Sequence, residues 1–332
     1  MNRMTHTPLI QDLVLADNME TPVDQKSGSK AICLFQHFQE EQKDLLAEFV
    51  LNKYPNRLTQ KAIVSDLKQF SFWLQKSIFD VKPAQLGIYR QHLIDCSYAV
   101  GSVNRKLASL KAFYRYLHEV GVRSSNVGQY LELIKTSSKI GSTPAFSKNQ
   151  LVALFDSFDE SKPNDLRDKV IVAIAFFCAA RVSAILNLTF EDVLQEESGL
   201  KLRLLEKGGK KRYLHCNSEI LAPTLLRYIN SLPFSEGPLF RGFRVRTGWT
   251  EIPLDRQSCH AMIKRRVRRL GFQKTFSMHS FRAAFATCWL GDKNSIDALQ
   301  KIGGWANLDT VKRYDRNAQE ASVSEMELMS LR

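Results

Sequence analysis

Between Ser277 and Asn317 the chain gathers the residue types needed to bind an anion and to attack it. His279 and Arg282 stand three apart at the head of an apolar helical pattern, Phe281, Phe285, Cys288 and Trp289, a spacing that puts both on one helix face. Free backbone N–H groups and the helix dipole add to the guanidinium charge at that end, so the place suits an anion. Beyond it, Gly303-Gly304 can stop one helix, and Asn307 or Asp309 can cap the next, which carries Tyr314 among Lys312, Arg313 and Arg316. Tyrosine is a weak nucleophile at neutral pH, with a reference pKa of about 10, and reacts only beside a base or in a strongly positive setting.

The rest of the chain must position these groups. Its 332 residues leave room for two domains, and an apolar content of 44% supplies their cores. A net charge of +13 points to a polyanionic partner, because basic excess attracts phosphates regardless of sequence. The six cysteines, Cys33, Cys96, Cys178, Cys216, Cys259 and Cys288, include no C-x-x-C pair; buried, reduced thiols are expected rather than disulfides or zinc. The histidines show no ligand spacing with Cys, Asp or Glu, and no P-loop or glycine-rich nucleotide fingerprint is present, so no metal or cofactor is expected. The longest apolar run, Val170 to Ala180, is too short to span a bilayer, and the polar N-terminus has no signal-peptide pattern. A cytoplasmic protein without membrane contact is the expectation.

Residues 1–32 have no sustained period and read as a tail. From Phe35 the pattern turns helical, with apolar recurrence over Glu41 to Tyr54, Leu58 to Lys76, Pro83 to Cys96 and Val103 to Val120. Thr59 is a plausible cap and Pro83 a first-turn residue. In the last helix Val103, Leu107, Leu110, Tyr114 and Leu117 form one stripe, with Arg105 and Arg115 facing away and Lys106 and Lys111 towards its edges. A polar, basic stretch over 133–145, broken by Gly141 and Pro144, reads as a linker that would let two domains close around a polyanionic partner. The second domain, 146–332, should open with a helix capped by Ser147. Lys169 to Leu186 then reads as one buried central helix, with Arg181 near its end. A permanent charge there needs an anion or a carboxylate, and Glu191 and Asp192 are the nearest carboxylates in sequence. Leu200 to Leu205 and Lys211 to His215 read as a β-hairpin turning through Lys207-Gly208-Gly209-Lys210. Arg241, Arg244, Arg246 and the run Lys264-Arg265-Arg266 to Arg268-Arg269 add positive charge suited to phosphates.

His279-x-x-Arg282, then Trp305, then Tyr314 nine residues later, resembles the second motif block of the tyrosine recombinases, the phage integrase family; Gly303-Gly304-Trp305 resembles its Cre-type variant. Ala180-Arg181-Val182-Ser183 resembles the first block, and Glu206-Lys207-Gly208-Gly209-Lys210 resembles the hairpin that carries a catalytic lysine, with Glu206 in place of its first glycine. Two departures stand out: Ala184 where the family usually has an acidic residue, and Ala283 where it often has histidine. The resemblance covers roughly Phe35 to the C-terminus. It implies a mainly α fold, a helical, SAM-like core-binding domain over 33–132 followed by a mixed α/β catalytic domain with a small β-hairpin sheet. It also implies a metal- and ATP-free site of Arg181, Lys207, His279, Arg282, Trp305 and Tyr314. Here the two arginines clamp the phosphate, Trp305 donates its indole N–H, His279 serves as base or phosphate ligand, and Lys207, with Lys210 as competitor, as the acid. Tyr314 would form a 3′-phosphotyrosyl link. Arg105, Lys106, Lys111, Arg115, Lys210, Arg241, Arg244, Lys264 and Arg265 are the expected DNA contacts.

By the same resemblance the partner is double-stranded DNA with inverted-repeat core sites, exchanged through a Holliday junction by a homotetramer. The amphipathic segment Ala318 to Leu331 either covers its own domain or, as the resemblance implies, docks into a neighbouring subunit. The tail reads as short for a separate arm-binding domain, which favours a Cre-like or Xer-like system. Two rivals are a type IB topoisomerase, which only relaxes supercoils, and a non-catalytic DNA-binding protein, kept in view by Ala184 and Ala283.

Overall fold

Helical periodicity in the first third of the chain becomes four packed helices: α1 (Glu40–Lys53), α2 (Arg57–Leu74), α3 (Pro83–Asp95) and α4 (Val100–Glu119). The computed structural model describes residues 40–135, 143–197, 199–206, 208–216 and 218–314. The expected N-terminal tail, part of the linker, Lys207 and the C-terminal amphipathic segment lie outside the described residues. The chain divides into two units, Met1–Ser137 and Ser138–Arg332.

In the first unit the α4 stripe of Val103, Leu107, Leu110, Tyr114 and Leu117 is buried against Leu46, Phe49, Leu67, Phe70 and Leu93. Pro83 opens α3 as expected, but the cap of α2 is Asn56, not Thr59. The Asn56 side chain accepts from the amides of Leu58 and Thr59 at 3.0 and 3.2 Å, because a cap must precede the first turn whose orphan N–H groups it satisfies. Buried Asp66 on α2 takes the guanidinium of Arg105, the hydroxyl of Ser109 at 2.8 Å and the ammonium of Lys106 at 3.5 Å. Past α4 the chain stays pinned to the bundle: Asn104 bonds both the carbonyl and the amide of Ile134, at 2.9 and 2.8 Å.

The second unit contains α5 (Lys148–Asp156), α6 (Pro163–Phe177), α7 (Val182–Leu186), β1 (Val193–Glu196), β2 (Gly199–Leu205), β3 (Lys211–His215), α8 (Leu221–Asn230), β4 (Arg241–Arg244), β5 (Gly248–Pro253), α9 (Arg256–Arg269), α10 (Met278–Gly291), α11 (Ile296–Gly303) and α12 (Leu308–Lys312). Ser147 caps α5 in a reciprocal box with Gln150. Helix α6 is buried all round by Val170, Ile171, Val172 and Ile174, and packs on α8 and α10. The run to Leu186 is not one helix. It breaks after Phe177, where Ala179 takes φ 44°, and resumes at α7 with Arg181 in the N-cap position. The apolar pattern continues through the break because both pieces face the same core, so periodicity alone does not reveal it.

Strands β1, β2 and β3 form an antiparallel sheet in that order, with Leu202 opposite Leu214 and Leu204 opposite Arg212. Leu200, Leu202 and Leu204 point into the core, and the alternation carries Glu206 and Arg212 inward as well. Among the described residues Cys96, Cys178, Cys216, Cys259 and Cys288 are free thiols. In the same set no helix is long and apolar enough to cross a membrane.

Candidate active site

The N-terminus of α10 sets the site. Ser277 caps it through a box with Ser280, and the first turn then presents His279 and Arg282 on one side, as the spacing predicts. Arg282 is almost fully buried, 1% exposed. Its guanidinium lies 3.9 Å from the Trp305 ring centroid and donates to the Ala179 carbonyl. Its second terminal nitrogen has no hydrogen-bond partner among the described residues. A buried donor left open is costly unless an anion completes it.

Helix α11 brings in the rest. It ends at Gly304, in the left-handed conformation at φ 62°, which only glycine adopts without strain. Gly303 just before it leaves the space into which the Trp305 ring folds; a methyl group there would collide with that ring. Asn307 rather than Asp309 caps α12, accepting from the Thr310 amide at 3.1 Å. Tyr314 follows directly. Its ring packs on Trp305, with centroids 5.5 Å apart, and on an apolar bed that includes Ala179, Ala283 and Leu299. Its hydroxyl lies 3.3 Å from Nε2 of His279.

Arg181 enters from the N-cap of α7. Its carboxylate partner is neither Glu191 nor Asp192; Asp192 is engaged by Arg203 at 2.6 Å. The partner is Glu206 at the end of β2, which pairs with Arg181 through Oε2 and with Arg212 through Oε1 at 2.7 Å. Burial would raise the Glu206 carboxyl, but the hydrogen bonds and charges of Arg212 and Arg181 outweigh it and hold the group below the usual carboxylate range. Burial, then the charges of Arg282 and Arg181, lower the pKa of His279, so its imidazole is neutral at pH 7 and Nε2 can accept the tyrosine proton. Burial and Arg181 push Arg282 down to about 10, which leaves it charged.

The structure thus brings together Arg181, His279, Arg282, Trp305 and Tyr314. Trp305 was expected to direct its indole N–H at a phosphate; its ring face is committed to Arg282. Lys207 is not described, but its neighbour Glu206 and the turn glycines Gly208 and Gly209, at φ 81° and 79°, form the expected hairpin. Glu206 and Arg212 were not singled out as site residues, although strand alternation marks both as inward-facing.

Of the expected DNA contacts, Lys210, Arg244, Lys264 and Arg265 are exposed. Arg115 is exposed and faces Glu119 at 3.6 Å, and Arg105 is half-exposed while paired with Asp66. Three others are engaged within the protein. Lys106 is buried with its ammonium on Gln69 and Asp66, and Lys111 donates to the Leu131 carbonyl at 2.7 Å. Arg241 is buried, donates to the carbonyls of Pro238, Glu251 and Glu236, and stacks on Phe234. Their charges are held where the helical or strand pattern alone places them at an edge.

Residues 144–321, more than half of the chain, match the phage integrase family. The chain belongs to that family. Among curated relatives, the tyrosine recombinase XerC of Leptospira interrogans (serovar copenhageni) is 25% identical over 289 residues, covering 83% of this chain and 88% of the relative. That of Pelobacter propionicus is 28% identical over 267 residues, covering 77% and 83%. Two solved structures show the same fold. XerH recombinase bound to its palindromic difH substrate superposes with a TM-score of 0.63 at 18% identity, covering 81% of this chain and 80% of that one. A lambda integrase dimer bound to a core site gives 0.65 at 13%, covering 84% and 78%. This family member is a tyrosine-type site-specific recombinase, and neither rival class is favoured.

Proposed function

We propose that this recombinase cuts and rejoins double-stranded DNA with Tyr314 as nucleophile. The approach of the Tyr314 hydroxyl to the neutral His279 imidazole, 3.3 Å, beside the incompletely bonded Arg282 guanidinium, carries this reading. His279 takes the phenolic proton as the tyrosine oxygen bonds to the scissile phosphorus. The bond from phosphorus to the 5′-oxygen breaks, and that oxygen leaves with a proton, from Lys207 in the assignment drawn from sequence. Arg181 and Arg282 hold the non-bridging oxygens while negative charge builds. Trp305 supports Arg282 from its ring face.

The 3′-phosphotyrosyl product keeps the bond energy of the diester. A 5′-hydroxyl of another strand can therefore displace the tyrosine, returning its proton, without ATP. Exchange between two inverted-repeat core sites, one strand pair at a time through a Holliday junction, follows if four copies assemble on DNA. In this reading the helical unit, residues 33–132, supplies core-binding contacts and 146–332 the chemistry, in the cytoplasm.

The test is a nicked suicide substrate carrying candidate core sites. Wild type should give a covalent protein–DNA band that Tyr314→Phe abolishes, and strand transfer between two sites separates exchange from mere relaxation. Sequence-specific binding with no covalent band in either protein would overturn the reading.

A further inference from the structure

Glu206 does more than neutralise a neighbour. Its side chain is 4% exposed at the inward end of β2, and its two oxygens serve different arginines, Arg181 and Arg212. Arg212, itself 7% exposed, donates to the Cys178 carbonyl at 3.0 Å and to the Ile302 carbonyl. Those carbonyls lie at the C-terminal ends of α6 and α11. The first leads through Ala179 and Ala180 into Arg181; the second leads through Gly304 into Trp305 and on to Tyr314. Space at Gly304 is part of the arrangement, since a Cβ there would come to 3.2 Å from Nε of Arg212. One carboxylate thus ties together the hairpin, the break that carries Arg181 and the turn that carries the nucleophile's segment.

The charges argue the same way. Arg181, Arg212 and Arg282 lie near enough for Arg181 and Arg212 to depress the pKa of Arg282, with Glu206 opposing them. Without Glu206 these cations would repel one another, and Arg181, one-third exposed, would be free to turn towards solvent. With Glu206 on one terminal nitrogen, the rest of that guanidinium remains available to an anion.

We propose that Glu206 is a positioning residue for the reaction: it fixes Arg181 against the scissile phosphate and keys it, through Arg212, to the segment bearing Trp305 and Tyr314. This rests on the proposed role of Tyr314. Glu206→Gln keeps the shape but loses the charge and turns a donating amide nitrogen towards one of the two guanidiniums. The rate of covalent adduct formation on the suicide substrate in a single turnover should fall roughly 10- to 100-fold, the worth of a charge-assisted hydrogen bond, with DNA affinity little changed. Glu206→Asp, which keeps the charge on a shorter arm, should fall between the two. Because Glu206 acts through Arg181, the Gln substitution should cost far less in an Arg181→Lys background.

Equal losses in both backgrounds, or an unchanged rate, would overturn the inference. If the Gln variant does not fold, Glu206→Asp carries the test, and a wild-type rate there would overturn it. A wild-type protein that forms no Tyr314-dependent adduct would sink the reaction itself; a reactive wild type matched by Glu206→Gln would sink only the role of Glu206.

Discussion

His279 is the site's titrating residue, and its surroundings fix the direction of the pH dependence. The imidazole must be neutral to accept the Tyr314 proton, and burial, Arg282 and Arg181 all disfavour its charged form. The acid limb of adduct formation should therefore lie below the ordinary histidine value of about 6.5, with activity present above it and lost as pH falls through the depressed value. Single-turnover cleavage across pH 4 to 8 checks this; a limb above about 7 would contradict it. Weakening Arg282 by Arg282→Lys should move the limb upward if the lysine cannot keep its charge at that depth. Spacing put His279 and Arg282 on one helix face, and the resemblance carried by the order of His279, Arg282, Trp305 and Tyr314 implied that they gather here. Sequence did not show who holds Arg181. The partner, Glu206, is distant in sequence and is placed by strand pairing, so proximity along the chain suggested Glu191 and Asp192. Ala184 and Ala283, the two departures noted in the sequence, are buried and pack apolar surface, and Arg181 meets its carboxylate in Glu206, just past the end of β2.

At the level of elements, the turn from α11 to α12 carries the tightest sterics in the site. Trp305 can lie between Arg282 and Tyr314 only because Gly303 has no side chain. Gly303→Ala should force the indole off the guanidinium, destabilising the unit by about 1–3 kcal/mol as overpacking does and removing most adduct formation while DNA binding persists. Thermal unfolding together with the suicide assay would show it; a variant with normal stability and normal cleavage would mean that the ring has another resting place. The two glycines were legible as a helix stop, and the helices of the first unit were legible from their stripes, since amphipathic helices advertise the face they bury. The break before Arg181 and the strand β1 were not. A helix buried on every side looks the same in sequence whether it is continuous or bent, and β1 is four residues long with only partial burial.

For the whole molecule the governing quantity is its charge, 47 Lys and Arg against 34 Asp and Glu. That excess makes DNA affinity depend steeply on salt, because each neutralised phosphate releases counterions and log K falls with log salt by about 0.9 per contact. The structure separates cations that can make such contacts from those already committed. Lys264 and Arg265 lie exposed on α9, so Lys264→Ala and Arg265→Ala should each lower affinity across sequences and reduce the salt slope by about one if the side chain meets a phosphate. Arg241→Ala should behave differently. Its guanidinium is spent on three backbone carbonyls around the β4–β5 ribbon and on the face of Phe234, and removing it takes the donor from three part-buried carbonyls and leaves a gap where the buried side chain packed. A loss of about 2–4 kcal/mol in folding stability with an unchanged salt slope is the expected result. Titrating binding at several salt concentrations beside denaturant unfolding distinguishes the two kinds of arginine. A reduced slope for Arg241→Ala would mean that the ribbon opens on DNA to release that charge, whereas an unchanged slope for both α9 variants would place the phosphate path on another face of the catalytic unit.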